Sequence, residues 1–204
     1  KNHQHMQNGD SIVGEGWYYE LIITPNPANN HTYYLFTVGV TSSGDQGLYY
    51  SQIDMNQNGG LGSVVQKNIM LLSDPSSDNI SAIKHGNGRD WWIFFRKRTT
   101  PINEFYSYLI SPFGIQWPNI QTIGSVSNSN VLRQVFSYKG DKLLSVNYAG
   151  LIELYNFDRC TGVISNPVTI QPETCCPYPH YVSASFSPNG NRIYVCNNDQ
   201  DSCF

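Results

Sequence analysis

Short runs of alternating apolar and polar residues, each four to ten long, recur along this chain and are separated by Gly, Asn, Pro and Ser clusters. That period of two is the signature of half-buried β-strands. It predicts strands over 16–24, 32–40, 48–55 and 64–72. Pro25-Asn-Pro-Ala-Asn-Asn30 is read as the break after the first, because two prolines and three asparagines do not suit a sheet ladder. Asn56-Gln-Asn-Gly-Gly60 is a strong hairpin signal, since Asn and Gly tolerate positive φ. A second group follows at 80–85, 91–95, 105–110 and a weaker 120–125, and a third at 131–138, 142–147, 151–157 and 167–171. A fourth begins with 181–186 and 193–196. Trp91-Trp-Ile-Phe-Phe95 is apolar at successive positions, as expected of a strand covered on both faces. No helical periodicity is present.

Three turns repeat. His85-Gly-Asn-Gly-Arg-Asp90, Ser137-Tyr-Lys-Gly-Asp141 and Ser187-Pro-Asn-Gly-Asn-Arg192 place glycines at 88, 140 and 190, separations of 52 and 50. A period near 50 points to repeated β units. The turns at Asn58-Gly-Gly60, Pro112-Phe-Gly114 and Cys160-Thr-Gly162 match in place, each joining a third strand to a fourth. The fold class expected is therefore all-β. Its architecture is a β-propeller of four-stranded antiparallel blades, with about three and a half blades present. They fall near 16–72, 80–125, 131–171 and, incomplete, 180–204. A β-sandwich or a solenoid of sheets is the competing architecture. An incomplete blade leaves an unpaired edge and a bare apolar face. The chain is thus expected to be a fragment of a longer protein, its remaining blades or a partner chain meeting the open edge.

Composition fits this picture. Of 204 residues, 13% are charged and 13% aromatic, with 14 Tyr, a balance suited to strands joined by many turns. A net charge of −3 gives no electrostatic case for nucleic acid. No apolar run reaches the ~18–20 residues needed to span a bilayer. With no signal peptide at Lys1, the chain reads as mature, truncated or cytosolic. All five cysteines lie between 160 and 203 and none forms a Cys-x-x-Cys pair, so disulfides in an exported protein are expected over a metal site. Cys196 and Cys203 flank a six-residue loop and would bridge if they end adjacent antiparallel strands. Cys160, in a hairpin turn, is matched with Cys175 or Cys176.

The turn Ser187-Pro-Asn-Gly-Asn-Arg-Ile-Tyr-Val195 resembles the Ser-Pro-Asp-Gly-x-x-Ile/Leu-x-Val/Phe turn of WD40-like repeats, with Asn189 in place of Asp. Three further stretches are similar to the propeller regions of large secreted surface proteins of Bacteroidota, many exported by the type IX system. They are Leu48-Tyr-Tyr-Ser-Gln-Ile-Asp-Met-Asn56 with Asn58-Gly-Gly-Leu-Gly-Ser-Val64, Ala82-Ile-Lys-His-Gly-Asn-Gly-Arg-Asp-Trp-Trp92 and Phe157-Asp-Arg-Cys-Thr-Gly-Val-Ile-Ser-Asn-Pro167. The resemblance covers most of 12–200. It implies an extracellular or outer-membrane-associated location and a longer parent chain with a C-terminal sorting domain. It carries no common activity to particular residues. Asp10-Ser-Ile12 fits a short bacterial O-glycosylation pattern.

Candidate chemistry is sparse. His85, Arg89 and Asp90 surround the Gly88 turn beside Trp91-Trp92 and are the candidates for a polar rim site. The competing reading is a hydrogen-bonded turn with the tryptophans in the core. Ser43-Gly-Asp-Gln-Gly-Leu-Tyr-Tyr50 fits the Asp box of sialidase-like propellers, whose Asp locks a turn. Arg96-Lys-Arg98 is the one basic run, read as a solvated loop able to meet an acidic glycan. His3 and His5 read as a solvated terminus, and Asp199 and Asp201 lack the spacing of a calcium loop. No catalytic residue, metal or cofactor is implied. The expected role is binding or scaffolding, with protein or glycan as partner and neither nucleic acid nor a membrane span. The alternatives are a sialidase-like glycan-active enzyme and a subunit of a large surface or secretion assembly.

Overall fold

The computed structural model describes residues 4–14, 20–39, 46–73, 79–97, 102–127, 129, 131–173 and 179–198. Among these the protein is all-β, apart from one 3-10 turn at Asn58–Gly60. Four antiparallel sheets follow one another along the chain. The first runs in sequence order through β1 (Leu21–Pro25), β2 (Thr32–Gly39), β3 (Gly47–Asp54) and β4 (Ser63–Leu72). The second contains β5 (Ser81–Lys84), β6 (Trp91–Arg96), β7 (Ile102–Ser111), the two-residue β8 (Gly114–Ile115) and β9 (Asn119–Ser127). In it β8 and β9 pair with different stretches of β7. The third is β10 (Leu132–Phe136), β11 (Lys142–Asn147), β12 (Ile152–Asp158) and β13 (Val163–Gln171). The fourth holds β14 (Tyr181–Phe186) and β15 (Ile193–Asn197).

Alternation along the strands builds three apolar seams. Ile93 and Phe95 of β6 pack with Tyr34, Phe36 and Leu48 of the first sheet. The intervening Trp92 and Phe94 pack with Leu143, Tyr155 and Phe157 of the third. β6 is thus sandwiched, which is why its sequence carries no polar face. The opposite face of the third sheet, through Leu144, Val146 and Ile152, meets Ala184, Phe186, Ile193 and Val195. The sheets therefore stack face to face in series. Their first strands sit side by side in the same order, β1 by β5, β5 by β10 and β10 by β14. No comparable packing joins β14 back to β1 among the described residues.

The break expected over 25–30 is present: Pro25 is the last residue of β1, opposite Tyr33, and β2 begins at Thr32. β1 is a terminal strand, so a residue lacking an N–H is tolerated there. Two other local expectations are corrected. The fourth strand of the third sheet begins at Val163, before Pro167. Asn166, at φ 49°, takes up a register shift ahead of the proline, and Asn68 at φ 56° lies at a similar shift in β4. Arg96 is not in a solvated loop; it closes β6 and is fully buried.

Candidate binding rim

The three glycine turns share one geometry. In each, the first residue's N–H reaches the carbonyl five residues on: His85 to Asp90, Ser137 to Lys142, Ser187 to Arg192. The glycine N–H returns to the first residue's carbonyl. Gly88, Gly140 and Gly190 sit at φ 73°, 71° and 73°, left-handed values that glycine adopts without a Cβ penalty. The first sheet has its own copy, one residue longer and without glycine. There the Asn26 N–H meets the Thr32 carbonyl, and Asn29 Oδ1 accepts the His31 and Thr32 N–H groups. Side-chain acceptors there do what the left-handed glycine does elsewhere.

His85, Arg89 and Asp90 do come together. Asn87 Oδ1 accepts the N–H groups of Arg89 and Asp90, both at 3.0 Å. The Asp90 carboxylate accepts Arg89 Nε at 2.7 Å, Arg89 Nη2 at 3.2 Å and Asn87 Nδ2 at 2.9 Å. The Asn87 N–H donates to His85 Nδ1, which leaves His85 Nε2–H to donate to the Cys160 carbonyl at 3.0 Å. The ring also stacks on Trp92, with centroids 5.6 Å apart.

Cys160 belongs to the β12–β13 turn of the third sheet, so the cluster is a clasp between sheets. Gly86 N–H and Trp92 Nε1–H both donate to the Arg159 carbonyl, and Gly162 lies against the Trp92 ring. That turn is held by Asp158, whose Oδ1 accepts the Cys160 N–H at 2.8 Å. Both nitrogens of His85 and both oxygens of Asp90 are engaged. The trio therefore offers no ready proton acceptor for catalysis. What it presents outward is the Arg89 side chain, 58% exposed, over a fixed turn.

The Arg89 hydrogen bond holds the Asp90 carboxyl below its ordinary value, against its burial, and Asp90 in turn raises Arg89. A depressed carboxylate stabilises the fold above its unfolded value, near pH 4, and that stabilisation fades as pH falls through the folded value. Asp90→Asn is expected to flatten the acid limb of the stability curve below about pH 4. Urea denaturation of both proteins between pH 2.5 and 7 checks this; parallel acid limbs would remove the ionic role.

Alternation did not reveal the densest polar cluster, which lies buried between the second and third sheets. Arg96 Nη1 donates to Ser145 Oγ and Nη2 to the Ser125 carbonyl, both at 3.3 Å, with the guanidinium 4.7 Å from the Phe105 ring. Glu153, also buried, accepts the Ser125 N–H and Oγ–H, Thr169 Oγ1–H and the Tyr155 hydroxyl. Glu173 Oε1 accepts from Ser127 Oγ and Asn147 Nδ2 at 2.8 and 2.7 Å. Burial pushes Arg96 down, opposed by Tyr155, Glu153 and Glu173, and pushes the Tyr155 hydroxyl up. Gly124 leaves room for this cluster: at φ 79°, an added Cβ would fall 2.2 Å from the Tyr155 hydroxyl. Gly124→Ala is expected to cost at least about 1–3 kcal/mol by overpacking, read from chemical denaturation; unchanged stability would contradict the close fit.

Other predicted sites disperse or lie outside the described residues. Cys160 and Cys196 are exposed and, among the described residues, unbridged. Their suggested partners Cys175, Cys176 and Cys203 lie outside, as do the Asp-box residues Ser43 to Asp45, together with His3, Arg98, Asp199 and Asp201. Of the described arginines, Arg96 is sealed between sheets and Arg89 is paired with Asp90. Among the described residues no group of three His, Cys, Asp or Glu could hold a metal ion, and no helix is long and apolar enough to cross a membrane. No protein-family model matches the chain, and no curated protein matches it.

Proposed function

We infer that this chain is a segment of a β-propeller serving as a binding or scaffolding module, exposed at the cell surface or secreted. The observation that carries the reading is the serial stacking of four antiparallel sheets with their first strands side by side. Blades around a common axis pack in this way. The repeated turns at Gly88, Gly140 and Gly190 support it, and the resemblance to WD40-like turns and Bacteroidota surface proteins supports the location. The rim supports binding over catalysis, because its ionisable groups are occupied by the clasp. Protein or glycan is the partner class, met by the turn surface around Arg89. Two measurements test this. Antibody against the chain should label intact, unpermeabilised cells. A fluorogenic glycoside panel that includes sialosides should give no turnover. Labelling only after lysis, or turnover lost in Arg89→Ala, would overturn the reading.

A further inference from the structure

We propose that the Gly88 and Gly140 turns, with Arg159 seated between them, form a cationic surface that binds a carboxylated glycan. The inference rests on the binding reading above and names the ligand of that same rim.

Arg159 joins the two turns. On one side its carbonyl accepts the Gly86 N–H at 3.0 Å. On the other its side chain lies over Gly140, where an added Cβ would fall 2.6 Å from Cδ and 3.3 Å from Nε. Glycine at 140 thus leaves a seat for this stem as well as permitting the turn. Arg89 on the first turn and Lys139 on the second are exposed, and Arg159 is half-buried. Three cations therefore stand on adjoining turns, where the second and third sheets meet.

The acidic groups beside them are already engaged. Asp90 is held by Arg89 and Asn87. Asp141 Oδ1 accepts the Ser137 Oγ–H and Asp158 Oδ1 the Cys160 N–H, both at 2.8 Å. Among the described residues the Arg159 guanidinium and the Lys139 ammonium have neither a hydrogen bond nor an ion pair. Lys139 acts on Asp141 only at longer range. Arg89 gives Nε and Nη2 to Asp90, leaving Nη1 for a ligand. Over 84–90, 137–142 and 158–162 there are five basic residues against three acidic ones, in a chain whose net charge is −3. The ligand that complements this surface is an anion. A planar guanidinium grips a carboxylate with two parallel hydrogen bonds, which favours a carboxylated one.

The surface offers side-chain charge and little else, and that selects a glycan over a peptide. Every N–H from His85 to Asp90 is bonded within the clasp. In the Gly140 turn, Ser137 takes the N–H groups of Gly140, Asp141 and Lys142. An extended peptide thus finds no backbone ladder to join. The contacts between turns are closed, so they leave no slot for an anchoring side chain. An added Cβ on Gly86 would fall 2.5 Å from Cys160 Sγ, and one on Gly162 2.8 Å from the Trp92 ring. A linear glycan with a carboxylate on successive sugars needs neither ladder nor slot, only cations spaced along a surface.

The test uses the whole chain and fluorescein-labelled hexagalacturonate, read by fluorescence anisotropy, beside labelled methyl-esterified hexagalacturonate and hexa-aspartate. Expected is saturable binding of the uronate alone, weakening as salt is added because exposed charges are screened. Arg159→Gln should lower the affinity about tenfold, the worth of one charged hydrogen-bonding group. It should leave the melting curve in place, because the guanidinium has no partner in the fold. Lys139→Gln, at an exposed position, should lower the affinity about threefold. Arg192→Gln, on the turn of the fourth sheet, should leave it unchanged. Absence of binding, equal binding of the methyl ester or of hexa-aspartate, or an equal effect of Arg159→Gln and Arg192→Gln would each overturn the assignment. If antibody still labels intact cells, any of these results leaves the surface-exposed binding module standing. Labelling only after lysis would remove both.

Discussion

Arg96→Ala is expected to destabilise the protein by about 3–5 kcal/mol, the typical loss when one partner of a buried charge pair is removed. Arg96 is fully buried, and its charge opposes those of Glu153 and Glu173 in the same seam. Without it, Glu153 keeps its hydroxyl and backbone donors but loses the compensating cation while remaining buried. Since a domain of this kind has only about 5–15 kcal/mol in total, the variant should show a large drop in urea midpoint. Arg96→Lys should fall between, keeping charge but losing the planar group over Phe105. Pairing Arg96→Met with Glu153→Gln should recover much of the loss, because no lone charge is then left behind. Equal destabilisation by the single and paired substitutions would show that packing, not charge, holds the seam.

Phe94→Ala is expected to cost a similar amount, about 3–5 kcal/mol, by a different mechanism. Phe94 is 1% exposed, and its ring meets Phe136 and Phe157 edge-on at centroid separations of 5.7 and 5.5 Å. Truncation opens a cavity between the second and third sheets, which the surrounding strands can close only in part. Phe113→Ala is the internal control. That ring is 93% exposed, so its loss should stay within about 0.5 kcal/mol. Matching urea midpoints for the two variants would contradict the placement of Phe94 at the joint.

Strand positions were the most legible feature of the sequence, for a plain reason. Period-two alternation reports which residues face a core, and the doubly apolar run 91–95 reports a strand with a core on each side. Turn chemistry was legible where glycine carried it; over 25–30 the break was legible, but not the side-chain acceptors Asn26 and Asn29 that shape it. Arg96 could not be placed. A basic residue followed by two more reads as solvent-facing, and the partner that justifies its burial, Glu153, lies 57 positions further along and in another sheet. The rim was foreseen as a group of residues but not as a clasp. His85 gives no sign in sequence that its ring will meet the carbonyl of Cys160, 75 positions away.

The serial stacking on which the functional reading rests is tested most directly by nuclear Overhauser contacts in a methyl- and aromatic-labelled sample. The account predicts contacts from the Ile93 methyls to the first sheet, around Phe36 and Leu48, and from the Phe94 ring to Phe157 of the third. It predicts none between the first and third sheets. Contacts linking Phe36 or Leu48 to Leu143 or Phe157 would mean that the sheets fold over one another as a sandwich, and would contradict it.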